Sequence, residues 1–334
     1  MDWKDQLARY VAEIEAGLQD FIVSLEFSDS AELRSMLRYH MGWEDDLGGG
    51  KRLRPALTLL CAGACGGDYQ SSMPAALGIE FLHNFTLIHD DIEDRSTTRH
   101  GRPTVWTRWE LAQAVNAGDG LFSIAQLALL DLVDSCGETV AIRAAREMNR
   151  TCLHLTRGQH LDIAFESEDD VALEAYLAMI EGKTAALIAY CTATGGLAAG
   201  ADDATVARLG AFGKALGMAF QIQDDFLGIW GDPAVTGKSA ASDLLARKKT
   251  LPVLYGLKHC AEFRRLWEDD DPDPELVMAM ARTLADCGAA AYVREQAGAY
   301  IRQAREGLAE LFLHPNQDAR TLIALTEALL NREM

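Results

Sequence analysis

Ile79-Glu80-Phe81-Leu82-His83-Asn84-Phe85-Thr86-Leu87-Ile88 runs through His89 into Asp90-Asp91-Ile92-Glu93-Asp94. The first ten residues are largely apolar. Pro74 stands where proline favours the opening of a helix, and Gly101 and Pro103 close the segment. The spacing predicts a helix from about Pro74 to Thr98. Asp90 and Asp94 then lie four residues apart on one face, one turn from each other, with Asp91 beside them. Unpaired, like charges at that spacing destabilise a helix by roughly 0.2–0.5 kcal/mol. A bound divalent cation reverses the sign, and magnesium takes one or two carboxylates together with substrate phosphates. A solvated acidic face is the plainer alternative, but the acids end a helix that reads as mostly buried. His83 lies two turns before Asp90 on the same side.

Helical spacing dominates elsewhere too, as in Leu7, Val11, Ile14, Leu18, Phe21, Ile22 and Leu25. Strand signals are nearly absent. Breakers at Gly48-Gly49-Gly50, Pro55, Gly66-Gly67, Pro233, Pro252, Pro272, Pro274 and Pro315 separate the segments. These divide the chain into about ten to thirteen helices. No linker or repeat interrupts the 334 residues, so the expected architecture is all-α, one domain over 1–334 built as a large helical bundle.

The formal net charge of −19 excludes a nucleic-acid binder, which needs a basic surface, and disfavours anionic lipid. The longest uncharged run, Thr184 to Ala201, is interrupted by Gly195, Gly196 and Gly200 and reads as a buried helix rather than a membrane insertion. Met1 to Asp5 is polar with no apolar run behind it, so no leader is expected. The seven cysteines form no CxxC pair. Buried free thiols in a reducing cytoplasm are their simplest account.

A second acid cluster sits in Phe220-Gln221-Ile222-Gln223-Asp224-Asp225-Phe226-Leu227, where Gln221, Asp224 and Asp225 share a helical face. Two such clusters suggest facing acidic walls with cations between them, holding an anionic ligand such as a metal-bridged diphosphate. Gly48-Gly49-Gly50-Lys51-Arg52-Leu53-Arg54-Pro55 is a local basic exception that can present Lys51 and Arg54 to phosphate. Arg95, Arg99, His100 and Arg102 follow the first acids, and Lys238 and Lys248 follow the second.

The ordered set Gly49 to Pro55, His83, Asp90 to Asp94 followed by Arg99 and Gly101, Gly158-Gln159-x-x-Asp162, Lys183-Thr184, Phe220 to Asp225 and the later Gly237-Lys238, Asp243 and Lys248 resembles the trans-isoprenyl diphosphate synthase (polyprenyl synthetase) family. The resemblance implies the isoprenoid synthase fold, a helical bundle around a central cavity, and a homodimer. It implies that Asp90, Asp94 and Asp224 bind three magnesium ions with an allylic diphosphate, supported by Asp91 and Asp225. Arg99, Lys183, Lys238 and Lys248 would hold that diphosphate, and Lys51, Arg54 and His83 would hold isopentenyl diphosphate. Thr184 and Gln221 would line the place where the allylic cation forms.

Two positions depart from the pattern. His100 stands where the family usually has a second Arg, which would weaken the grip on the second diphosphate or make it pH-sensitive. Gly228 stands where the second motif usually ends in Asp. Phe85 and Thr86, with no insertion in 90–94, resemble synthases that stop at C20, geranylgeranyl diphosphate. Farnesyl (C15) and C25 products remain alternatives, as do a terpene cyclase on the same fold and a non-catalytic subunit.

Overall fold

The computed structural model describes residues 2–25, 27, 30–44, 50–232, 241–269 and 272–331. Helices come in the order α1 (Trp3–Ser24), α2 (Ala31–His40), α3 (Leu53–Ala64), α4 (Met73–Glu93), α5 (Val105–Leu130), α6 (Leu132–Cys136), α7 (Glu138–Ser167), α8 (Leu173–Ile180), α9 (Ala186–Ala198) and α10 (Asp203–Trp230). Further helices follow over Ser242–Leu245, Leu251–His259, Ala261–Trp267, Pro274–Asp286, Ala289–Leu311 and Gln317–Leu330. The all-α expectation holds. The one exception among the described residues is a hairpin of two-residue strands, β1 (Thr98–Arg99) and β2 (Arg102–Pro103).

The chain divides into two compact units. One comprises Met1–Met148, Cys191–Val206 and His314–Leu322, the other Asn149–Tyr190, Ala207–Leu313 and Ile323–Met334. In the first, α1 buries Tyr10, Ile14, Leu18 and Ile22, a four-residue repeat that keeps one stripe inward. Its Tyr10 ring lies 4.4 Å from Tyr69, and Phe21 packs on Phe81 of α4. Helix α3 is buried along nearly its whole length. In the second unit, Met179, Met218, Ile222, Phe226, Leu254 and Val293 pack into one cluster.

Helix α4 begins one residue before Pro74, as proline's preference for the first turn requires. It stops at Glu93 rather than Thr98. Asp94 caps it, its N–H donating to Asp90 O at 2.8 Å. Arg95 then takes a left-handed φ of 51°, which a helix cannot continue through. The chain reverses through His100 (φ 51°) and Gly101 (φ 75°), the two positive φ values of a tight hairpin turn.

All seven cysteines are free, but only Cys61, Cys191 and Cys260 are fully buried; the other four are partly exposed. No single helix among the described residues is long and apolar enough to cross a membrane. Pro274–Asp286 and Ala289–Leu311 meet the length and composition of a span only as a pair, bent by 64°.

Candidate active site

In the first unit, the end of α4 sorts its three aspartates by burial. Asp90 is half-buried and Asp94 exposed, while Asp91 is 3% exposed. The hairpin returns Arg99 onto Asp91: Nε donates to both carboxylate oxygens at 3.0 and 2.9 Å, and Nη2 lies 2.8 Å from Oδ1. Burial raises the Asp91 pKa, against the opposing pull of that guanidinium. Asp91 therefore anchors Arg99, and His100, exposed in the turn, adds a weaker favourable charge.

The basic segment before α3 is also sorted. Lys51 is exposed. Arg52, at φ 48°, turns inward with a 2% exposed side chain. It meets Glu15 and Glu80 at 2.8 Å each and Met41 O at 2.9 Å. A buried arginine with carboxylates on two helices is a brace. Arg54 is half-buried, its Nη1 3.0 Å from His83 Nε2. Residues 29 apart in sequence thus meet, as the reading of both as isopentenyl diphosphate ligands requires. Burial, then Arg54, Arg99, His40 and Arg52, hold the His83 pKa well below its ordinary value. A neutral ring accepting from Arg54 at Nε2 carries its proton on Nδ1. Thr86 spends its hydroxyl on His83 O at 2.7 Å. Phe85 packs on His89, centroids 4.8 Å apart, and on Phe122 of α5 at 5.2 Å.

The second unit orders the other cluster. Asp225 is 2% exposed and accepts from Tyr176 Oη (2.6 Å), Gln221 Nε2 (3.1 Å) and the Leu251 N–H (3.3 Å). Burial pushes its pKa up to about 7 against those donors. Asp224 is half-buried. The Thr184 hydroxyl donates to Gln221 Oε1 at 2.8 Å, so Thr184, Gln221 and Asp225 form one chain of oriented dipoles. Lys183 pairs with Asp162. It lies in a π-helical turn, Glu181–Ala185, joining α8 to α9, and such turns gather at functional sites. Gly158 of α7 explains its place in the motif: a Cβ there would fall 2.8 Å from both Gly182 C and Lys183 Cα. Beside it, both amide atoms of Gln159 are buried without a partner. Lys248 is exposed. Lys238, with Gly48 and Gly49, lies outside the described residues.

Four contributors escaped the sequence reading. Tyr176, which grips Asp225, carries no local signal. Neither does His40, which closes α2 beside the basic residues. Burial, with Arg99, Arg102 and Arg52, pushes the His40 pKa down to about 3. The Glu15 and Glu80 partners of Arg52 are legible only as acids on apolar helices.

No three His, Cys, Asp or Glu side chains among the described residues gather into a ready-made metal site. That donor set still fits magnesium, a hard cation that keeps water and phosphate ligands and needs few carboxylates. Asp90 and Asp94, one turn apart at a helix end, are such a pair.

An all-helical fold with an Asp-Asp pair on each of two helices is shared by the isoprenyl diphosphate synthases, prenyltransferases that act on isopentenyl and allylic diphosphates. Residues 32–282 match the polyprenyl synthetase family, and the chain belongs to it. It is 47% identical over 236 residues to a geranylgeranyl diphosphate synthase of Mycobacterium tuberculosis, covering 69% of this chain and 67% of that protein. It is 41% identical over 315 residues to a (2E,6E)-farnesyl diphosphate synthase of Mycobacterium bovis, covering 90% and 86%. The crystal structure of a polyprenyl synthetase from Streptomyces coelicolor superposes with a TM-score of 0.88 at 34% identity, covering 98% of this chain and 100% of that one. These relatives are named for different product lengths.

Proposed function

We propose that the chain condenses isopentenyl diphosphate head-to-tail with allylic diphosphates, using magnesium, and releases mainly the C20 product. The observation that carries the synthase reading is the Arg54–His83 contact beside Arg99. A terpene cyclase ionises one diphosphate and has no use for a second anion site. Retention of Asp90, Asp91, Asp94, Asp224 and Asp225 argues against a non-catalytic subunit.

In this reading Asp90, Asp94 and Asp224 hold three magnesium ions, which supply positive charge to the departing diphosphate. Arg99, Lys183, Lys238 and Lys248 grip the same group. Arg99 is set by Asp91 and Lys183 by Asp162, so neither must reorganise as charge develops. The allylic C–O bond breaks, and the dipoles of Thr184 and Gln221 face the resulting cation. Lys51, Arg54 and His83 hold isopentenyl diphosphate, with His100 in the place of a second arginine. The isopentenyl double bond forms the new C–C bond, and a proton leaves to the released diphosphate. No protein base is required.

The C20 preference rests on the family resemblance at Phe85 and Thr86; the Phe85 ring itself packs on His89 and Phe122. The family match runs across both compact units, which supports one catalytic domain. The family resemblance implies a homodimer, and exposed Leu111, Val115, Leu127 and Leu130 on α5 leave apolar side chains available for such a contact. Seven free thiols suit a reducing cytoplasm.

The test is incubation with magnesium, labelled isopentenyl diphosphate and each allylic starter, followed by product sizing. A C20 product supports the proposal. A cyclic hydrocarbon from C20 diphosphate alone overturns it in favour of a cyclase, and no turnover with any starter revives the non-catalytic subunit. Phe85→Ala should shift the profile to longer chains; an unchanged chromatogram removes Phe85 from the argument.

A further inference from the structure

His40 ends α2, and the peptide carbonyls on either side of it are held by two arginines. Arg102 Nη1 donates to Tyr39 O at 3.1 Å, and Arg52 Nη2 donates to Met41 O at 2.9 Å. Arg102 stands directly opposite Arg99 in the β1–β2 hairpin. The imidazole of His40 therefore lies in the field of Arg99, Arg102 and Arg52, and it acts in turn on His83. From α5, Arg108 sits over the Tyr39 ring at 4.4 Å. The acids of this corner are already paired: Glu15 and Glu80 with Arg52, and Asp91 with Arg99.

One atom of the ring is left over. His40 Nε2 is out of reach of solvent and has no hydrogen-bond partner among the described residues. The Asn84 backbone favours a proton on the ring, and with Nε2 bare that proton belongs on Nδ1. Native interiors rarely leave such an acceptor unmet. This one sits at the C-terminal end of a helix, where the backbone dipole favours positive charge. Burial and the three guanidinium groups are what keep it unprotonated. A diphosphate beside Arg54, His83 and Arg99 brings negative charge into the same field and opposes them.

We propose that His40 takes up a proton from solvent at Nε2 when isopentenyl diphosphate enters the Arg54–His83 corner, adding one positive charge to the site that holds the anion. The proposal rests on the prenyl-transfer reading above. His40 is then a positioning residue, acting through the corner rather than on the reacting atoms. Its proton is present only in the complex, so substrate affinity falls as pH rises.

The test is titration calorimetry with isopentenyl diphosphate in magnesium-free buffer from pH 5.5 to pH 8.5, repeated in two buffers of different ionisation enthalpy to count protons. His40→Asn keeps an amide donor where Nδ1 stood and removes Nε2. His40→Gln is the second variant, should the first melt early by circular dichroism. The ligand's own titration is common to all the proteins and cancels in the ratio of affinities. Wild type should bind more tightly than either variant at low pH. That advantage should shrink with rising pH, by at most about tenfold per pH unit for one proton, and vanish at the alkaline end. Wild type should also take up more proton per ligand than either variant, and His100→Arg should leave that excess in place. A purely structural role gives a penalty that does not change with pH. That result, or proton uptake unchanged in both His40 variants, overturns the proposal, as does an excess that disappears in His100→Arg. If wild type makes prenyl product but shows no His40-dependent uptake, this inference fails alone. If it binds no isopentenyl diphosphate and makes no prenyl product, the prenyl-transfer reading falls with it.

Discussion

The ends of α4 and α10 carry the same dipeptide, Asp-Asp, one in each compact unit, and treat its second member in opposite ways. Asp91 and Asp225 are equally buried, at 3% and 2%. Asp91 meets a guanidinium that reaches both of its oxygens. Among the described residues, Asp225 meets only neutral donors: a phenol, an amide and a backbone N–H. Burial raises both acids, but only Asp91 has a full opposite charge against that rise. Asp225 is left with a pKa of about 7. The difference teaches that the motif is not a pair of equivalent ligands. In each unit the second acid is an internal brace, while the first acid, Asp90 or Asp224, is the more accessible one, as the proposed cation-binding role requires.

That division of labour breaks most visibly in turnover. Asp90→Asn and Asp224→Asn should each lower kcat/KM by roughly 10²–10³-fold, the scale on which a charge-stabilising group matters in a preorganised site. Their melting temperatures should stay close to wild type. Steady-state kinetics with labelled isopentenyl diphosphate, beside thermal melts, reads both. An Asp91→Asn chain equally inactive and equally stable would erase the distinction between outer acid and brace. The next effect is on stability. Arg99→Ala leaves Asp91 buried without its cation, which should cost about 1–3 kcal/mol in urea unfolding. Adding Asp91→Asn should return part of that loss, because the stranded charge is gone. An additive double variant would show that the pair is not coupled.

How much of this was legible follows the range of the interactions. The helical class came from local spacing, and the acid faces at Asp90/Asp94 and Asp224 came from four-residue periodicity. The end of α4 was misplaced by five residues because Arg95 breaks the helix with a backbone angle that no residue type announces. The hairpin was missed because two-residue strands carry no alternation to read. Yet that hairpin is what brings Arg99 onto Asp91. The Arg54–His83 contact was legible only through resemblance to a family, since 29 residues separate the partners. Tyr176 and Asp225 stand 49 apart, and the Arg52 carboxylates lie on two different helices, so no window of sequence contains either arrangement. At Gly228 the sequence shows only a departure from the pattern, because the Asp243 carboxylate that fills the space beside it comes from another helix. Local chemistry proposes candidates, and chain reversals decide which of them become braces.

The neutral cage around Asp225 offers the finer contrast. Tyr176→Phe removes one uncharged donor and should cost about 0.5–1.5 kcal/mol, less than Arg99→Ala, because no ion is stranded. Its sharper signature is in pH. The folded Asp225 pKa, about 7, lies above the ordinary carboxyl value of roughly 4. Between those two values the native chain binds more proton than the unfolded one, so stability falls as pH rises. The contribution is fully present below about pH 4 and is lost as pH climbs through 7. Asp225→Asn stays neutral throughout and serves as the reference. In magnesium-free buffer, the unfolding free energy of wild type minus that of Asp225→Asn should shrink steadily from pH 5 to pH 8. In the Tyr176→Phe background the same decline should move to higher pH, because the phenol favours the ionised acid. A difference that grows with pH would mean Asp225 is held ionised like Asp91, and the two Asp-Asp ends would then work by one electrostatic scheme.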